Sequence, residues 1–69
     1  MNSLTSRENE VVFALAEGLS NKGVSRRLGL SEGTVKVHLH NIYNKLGVKN
    51  RTALVVLAFT DFAREPEFA

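Results

Sequence analysis

Apolar residues recur every three or four positions along most of this chain. The recurrence is broken three times by a glycine with a serine or asparagine soon after it: Gly18 and Ser20, Gly29 and Ser31, Gly47 and Asn50. A 3.6-residue recurrence marks amphipathic helices, and a glycine followed by a capping residue marks where one helix stops and the next begins. Four helices are predicted. The first opens at Thr5, with Glu8 in the capping-box spacing, and carries Val11, Val12, Leu15, Ala16 and Leu19 on one apolar face. Phe13 falls off that stripe and is expected at the surface. The second is short, over 21–28, capped by Ser20, closed by Gly29, and buries Val24 and Leu28 at i and i+4. The third begins after Ser31, places Glu32 at the positive end of its dipole, and runs to Leu46 with Gly47 as its stop. The fourth is capped by Asn50 and runs from about Arg51 to Phe62 or a little beyond, with residues 63–69 as a frayed tail containing Pro66. The alternation at 35–39, "VKVHL", imitates a strand, but the helical period continuing to Leu46 overrides it.

Two helices joined by the three-residue turn Gly29, Leu30, Ser31 read as a helix-turn-helix over 21–46 within a single domain, 1–69. Projected at about 100° per residue, the third helix divides into two faces. Val35, Leu39, Ile42 and Leu46 form a core seam edged by His38 and Tyr43, and the opposite side carries Gly33, Lys36, Val37, His40, Asn41 and Asn44. The two histidines lie two positions apart and point roughly 160° away from each other on a helix, so they do not share a metal ion. No nucleophile or carboxylate converges on either one, and the chain is expected to be no enzyme and to take no cofactor. His38 is expected to pack at the core margin.

A cationic, amide-bearing helix face behind a tight turn suits the major groove of double-stranded DNA, which is about 12 Å wide and admits one helix. Lys36 is able to donate to guanine, Asn41 and Asn44 to pair with adenine, Val37 to meet a thymine methyl, and His40 to donate to guanine or phosphate. Lys22, Arg26 or Arg27, Lys45, Lys49 and Arg51, with Asn21 at a helix start, are candidates for the flanking phosphates.

The chain of 69 residues has a net charge of only +2, but the charge is unevenly spread. Residues 18–60 hold Lys22, Arg26, Arg27, Lys36, Lys45, Lys49 and Arg51 against Glu32, a net of +6. The flanks hold Glu8, Glu10, Glu17, Asp61, Glu65 and Glu67 against Arg7 and Arg64, a net of −4. A basic middle between acidic ends points to a polyanionic partner, or simply to a solvated basic surface. There is no cysteine to supply a disulfide or a thiolate metal site, so helix packing must hold a small core by itself. No apolar run reaches the roughly 20 residues that cross a bilayer, and "MNSLTSREN" has no signal-peptide pattern, so a cytoplasmic protein with no membrane partner is expected.

These residues resemble the LuxR-type helix-turn-helix, in particular the effector domains of NarL/FixJ-class response regulators. The likeness is carried by "LTSRENEVV", by "LSNKGVSRRLGLSEGTVKVHLHNIYNKLGV" and by "KNRTAL", in that order, and covers residues 4 to about 58. It implies an all-α, four-helix DNA-binding domain in transcription regulation, with the third helix in the major groove and the fourth often dimerising. Family base contacts correspond to Lys36, Val37 and His40, and family phosphate contacts to Asn21, Lys22, Thr34, Lys45 and Arg51. The resemblance also implies an N-terminal receiver or ligand-binding domain that this chain does not contain, a receiver being favoured because the helix-turn-helix reads like response-regulator members, the chain then being either an excised effector domain or a free-standing small regulator. The chain departs from the family in three places. Gly23 replaces the usual glutamate and deprives Ser20 of its capping-box partner, Ser25 replaces the usual alanine and brings a hydroxyl that needs a partner, and His40 stands where a long basic residue is common.

The fourth helix is apolar nearly all round. Leu54, Val55, Ala58 and Phe62 can face the core, which leaves Ala53, Val56 and Leu57 to be covered by a second copy, giving a homodimer at least on DNA, or by the rest of a longer protein. Two rival readings remain: a promoter-reading module like that of a sigma factor, and a dimeric protein-interaction module that does not bind DNA.

Overall fold

The computed structural model describes residues 3–64, with side chains through Asp61. The described residues form four helices and no strand: α1 Ser6–Ala16, α2 Asn21–Leu28, α3 Glu32–Leu46 and α4 Arg51–Arg64. The all-α, four-helix fold expected from the apolar spacing is therefore the fold observed. The side chain of Phe62, expected in the core, and residues 65–69 of the expected tail lie outside what is described.

Each helix starts where a side chain satisfies an otherwise unpaired backbone N–H. Thr5 Oγ1 accepts from the N–H of Glu8 at 3.0 Å, and Glu8 Oε1 accepts from the N–H of Thr5 at 2.9 Å, which completes the capping box. Ser20 accepts from Gly23, Ser31 from Thr34 and Asn50 from Ala53. Helices α2 and α3 end by one device: Gly29 and Gly47 adopt φ +69°, and the next N–H turns back into the last turn, Leu30 to Ser25 and Val48 to Tyr43. Leu30 and Val48 then pack on the core, so each turn is fastened at both ends.

The core is built around α1, which packs against all three other helices. Val11, Val12, Ala14, Leu15, Val24, Val35, Leu39, Ile42, Leu54 and Ala58 are buried in one cluster with Leu4. Ala14 is buried where Ala16 was expected, because a helix touched on several sides buries a wider arc than a single stripe. Leu19, Leu28 and Leu46 are half-buried at its margin. Ser25, also buried, donates its hydroxyl to the Lys22 carbonyl at 2.8 Å, the partner that this departure from the family requires. A Cβ at Gly23 would approach Leu19 Cβ and Cγ to 3.3 Å, so the glycine has a packing reason as well as a helix-propensity cost.

Candidate nucleic-acid interface

Burial fixes which side of α3 faces outward. Val35 and Ile42 are fully buried and Leu39 nearly so, each contributing about 1.5–3 kcal/mol to holding this helix in place. On the opposite side Lys36, Val37, His40, Asn41 and Asn44 are all exposed, Val37 at 59%. His38 is half-buried at the boundary, separated from His40 as the spacing predicts. Among the described residues no three histidine, cysteine, aspartate or glutamate side chains gather in a metal-binding group.

Within that face His40 Nε2 and Asn44 Nδ2 are 3.2 Å apart, an i,i+4 contact. The expected base-reading residues are thus brought together on one surface, and two of them are bonded to each other.

The expected phosphate-contacting residues fall into two groups. Lys22, Lys49 and Thr34 are exposed. Thr34 Oγ1 accepts from the Ser31 hydroxyl at 3.0 Å, which leaves its own hydroxyl proton to donate elsewhere. Lys45, Arg51 and Asn21 are already engaged within the protein. Lys45 Nζ donates to Glu8 Oε1 at 2.8 Å, joining the last turn of α3 to the first turn of α1. Arg51 donates from one guanidinium nitrogen to Asn21 Oδ1 at 2.6 Å and from another to the Leu19 carbonyl at 2.7 Å, joining the start of α4 to the α1–α2 turn. This clasp lines a shallow depression with Leu15, Gly18 and Ser20.

Glu8 is 4% exposed, an unusual place for a carboxylate, and it stays ionised because it is paired. The Lys45 ammonium, followed by the Thr5 N–H, holds its carboxyl below the usual range against the desolvation that would raise it.

The pairing also revises the charge picture. Two of the seven cations of the basic middle, Lys45 and Arg27, are bound to flanking acids, Glu8 and Glu17, at 2.8 and 2.6 Å. The exposed Lys22, Arg26, Lys36 and Lys49 remain as the side chains that carry the basic character outward.

On α4 the outward positions are Val56, 59% exposed, and Phe59, 55% exposed, with Ala53 and Leu57 half-buried beside them. Phe59 is absent from the sequence-based dimer face, although its i+3 step from Val56 was available as a signal. Leu54 and Ala58 face the core as expected, with Val55 half-buried against it. Phe13 of α1 is 50% exposed, as its position off the apolar stripe predicts.

Comparison with known proteins places this geometry in a family. The family described as bacterial regulatory proteins, luxR family, matches residues 2–58. A probable transcriptional regulatory protein of Hyphomicrobium methylovorum, SgaR, is 51% identical over 57 residues, which cover 83% of this chain and 27% of that protein. The nitrate/nitrite response regulator protein NarP of Escherichia coli is 50% identical over 54 residues, covering 78% of this chain and 25% of its own length. Among solved structures, the response regulator ChrA of a heme-sensing two-component system superposes with a TM-score of 0.79 at 48% identity, covering 84% of this chain and 29% of that one. The chain thus spans about a quarter of the length of the curated relatives it matches.

Proposed function

The chain belongs to the luxR family of bacterial regulatory proteins, and from that premise we propose that it is the DNA-binding output domain of a longer transcription regulator of the response-regulator kind. The observation that carries this reading is the α3 surface: a helix pinned by Val35, Leu39 and Ile42 presents Lys36, Val37, His40, Asn41 and Asn44 outward, directly after a tight turn. In this reading α3 enters the major groove and that surface meets base edges. Lys22, Thr34 and Lys49 hold phosphates directly. Asn21, Lys45 and Arg51 reach phosphates with the donors that their internal bonds leave over, the Asn21 amide and the remaining N–H groups of Lys45 and Arg51. The domain works by binding and not by catalysis, and its place of action is the cytoplasm.

Two copies bind together through α4, with Val56 and Phe59 at the centre of the contact and Ala53 and Leu57 beside them. A two-fold contact of that kind requires half-sites related by a dyad. A receiver domain on the longer protein supplies the control.

A salt titration of binding to a random duplex tests the DNA reading. The four cations placed at phosphates, Lys22, Lys45, Lys49 and Arg51, imply a log–log slope of roughly −4 for each bound copy. A flat response would instead indicate a protein-interaction module.

A further inference from the structure

We propose that Asn44 acts through His40: it fixes which ring nitrogen of His40 carries the proton, and thereby which base edge His40 reads. The inference rests on the reading of α3 as the DNA-reading helix, but its first step concerns the free protein alone. An amide nitrogen only donates hydrogen bonds. Asn44 Nδ2 lies 3.2 Å from His40 Nε2, so the contact is a hydrogen bond when that ring nitrogen accepts, which puts the proton of the neutral imidazole on Nδ1. That is the less favoured tautomer of a free histidine side chain, so the neighbour at i+4 is what selects it. Both residues are exposed, which puts the selection on the contact surface rather than in the core.

The chemical consequence is a defined polarity. With Nε2 occupied by the Asn44 amide, Nδ1–H is the group left to a base, and it is a donor. A donor seeks the acceptors of the major groove, guanine N7 and O6, adenine N7 or thymine O4, and is useless against the amino group of cytosine. Asn44 is accordingly a positioning residue for His40 and reads no base of its own.

Two measurements on the 69-residue chain test this. The first is the ring nitrogen pattern of His40 by 15N NMR at about pH 8, above the range in which imidazoles usually titrate. The wild-type chain should show Nδ1–H, and Asn44→Ala should shift the ring to Nε2–H. The second is the base preference of each variant over a set of duplexes differing at single positions. Asn44→Ala should reduce discrimination about tenfold at the same base pair that His40→Ala affects, with little further loss in the double variant. A wild-type ring protonated on Nε2, a ring unmoved by Asn44→Ala, or a loss of preference at a different base pair from His40→Ala would each overturn the proposal. If no duplex is preferred by any variant, the DNA reading fails, while the ring measurement still decides the relation between Asn44 and His40. Both side chains are exposed, so neither substitution threatens the fold, and circular dichroism verifies this.

Discussion

Lys45 and Glu8 lie 37 positions apart in the chain and are joined by an ion pair of 2.8 Å, between a half-exposed ammonium and a carboxylate that is almost wholly buried. The same carboxylate oxygen also accepts from the Thr5 N–H, so the cap that starts α1 is at the same time the anchor for the last turn of α3. Helix α3 is therefore fastened at its C-terminal end by charge and along its length by apolar packing. Arg51, bonded to Asn21 and to the Leu19 carbonyl, fastens the start of α2 in a similar way.

Removing the Glu8 carboxylate should be costly for its size. Glu8→Ala takes away half of the capping box and the partner of Lys45, and a loss of about 2 kcal/mol is expected. In a domain of this size that corresponds to a fall in Tm of roughly 10 °C. Glu8→Gln keeps an acceptor for Thr5 but loses the charge, and should fall by about half as much. Thermal unfolding followed by circular dichroism checks both, and a Glu8→Gln variant as stable as wild type would show that the charge is irrelevant.

The same pair makes stability depend on pH. Because the folded-state value of Glu8 is depressed, the unfolded chain binds the proton more readily, and stability rises with pH between the two values. The contribution is fully present above the ordinary carboxylate value of about 4.3 and is lost as pH falls through the lower, folded value. Urea unfolding from neutral pH downwards should show the gap between wild type and Glu8→Gln closing over that acidic window. A gap that stayed constant down to the acid limit would count against the ion pair.

Arg51 and Asn21 should behave as one unit. Arg51→Ala is expected to cost about 1–2 kcal/mol, since two hydrogen bonds from a half-buried cation are lost. Asn21→Ala should cost less in the Arg51→Ala background than in wild type, because the shared bond is already gone. Strictly additive effects in denaturant unfolding would indicate that the Arg51–Asn21 bond carries no energy.

Substitution at the outward face of α4 should separate dimerisation from DNA contact. Val56→Glu or Phe59→Glu places a charge where two apolar side chains are exposed, and should leave monomer stability within about 0.5 kcal/mol. Cooperative binding to a paired site should disappear, while affinity for one half-site remains. Sedimentation on one-site and two-site duplexes distinguishes this from a general loss of binding.

Much of this was legible in the chain because local chemistry and global fold agree. Thr5, Ser20, Ser31 and Asn50 all cap the helices they precede, and Gly29 and Gly47 both close one. On α3 the apolar period is regular over 15 residues, so the exposed side follows from the buried one. What stayed hidden depends on contacts between distant segments. Nothing in the spacing of Glu8 or Lys45 indicates that they meet, and counting charge by segment treated as separate two groups that the fold brings together. Ala14 was missed for the same reason, since the width of the buried arc of α1 is set by its three neighbours. His40 and Asn44 are different: their i,i+4 spacing was visible, but each was read as facing a base and not as facing the other.

The central claim, that the exposed side of α3 reads DNA sequence, is tested most directly by selecting duplexes from a random pool with the wild-type chain and with Lys36→Ala. The wild-type domain should enrich a site with dyad-related halves, and Lys36→Ala should lose preference at a single base pair in each half while keeping the rest of the site, at a cost of about 1–3 kcal/mol in discrimination there. Enrichment of no site by the wild-type chain, or of the same site with undiminished preference by Lys36→Ala, would contradict it.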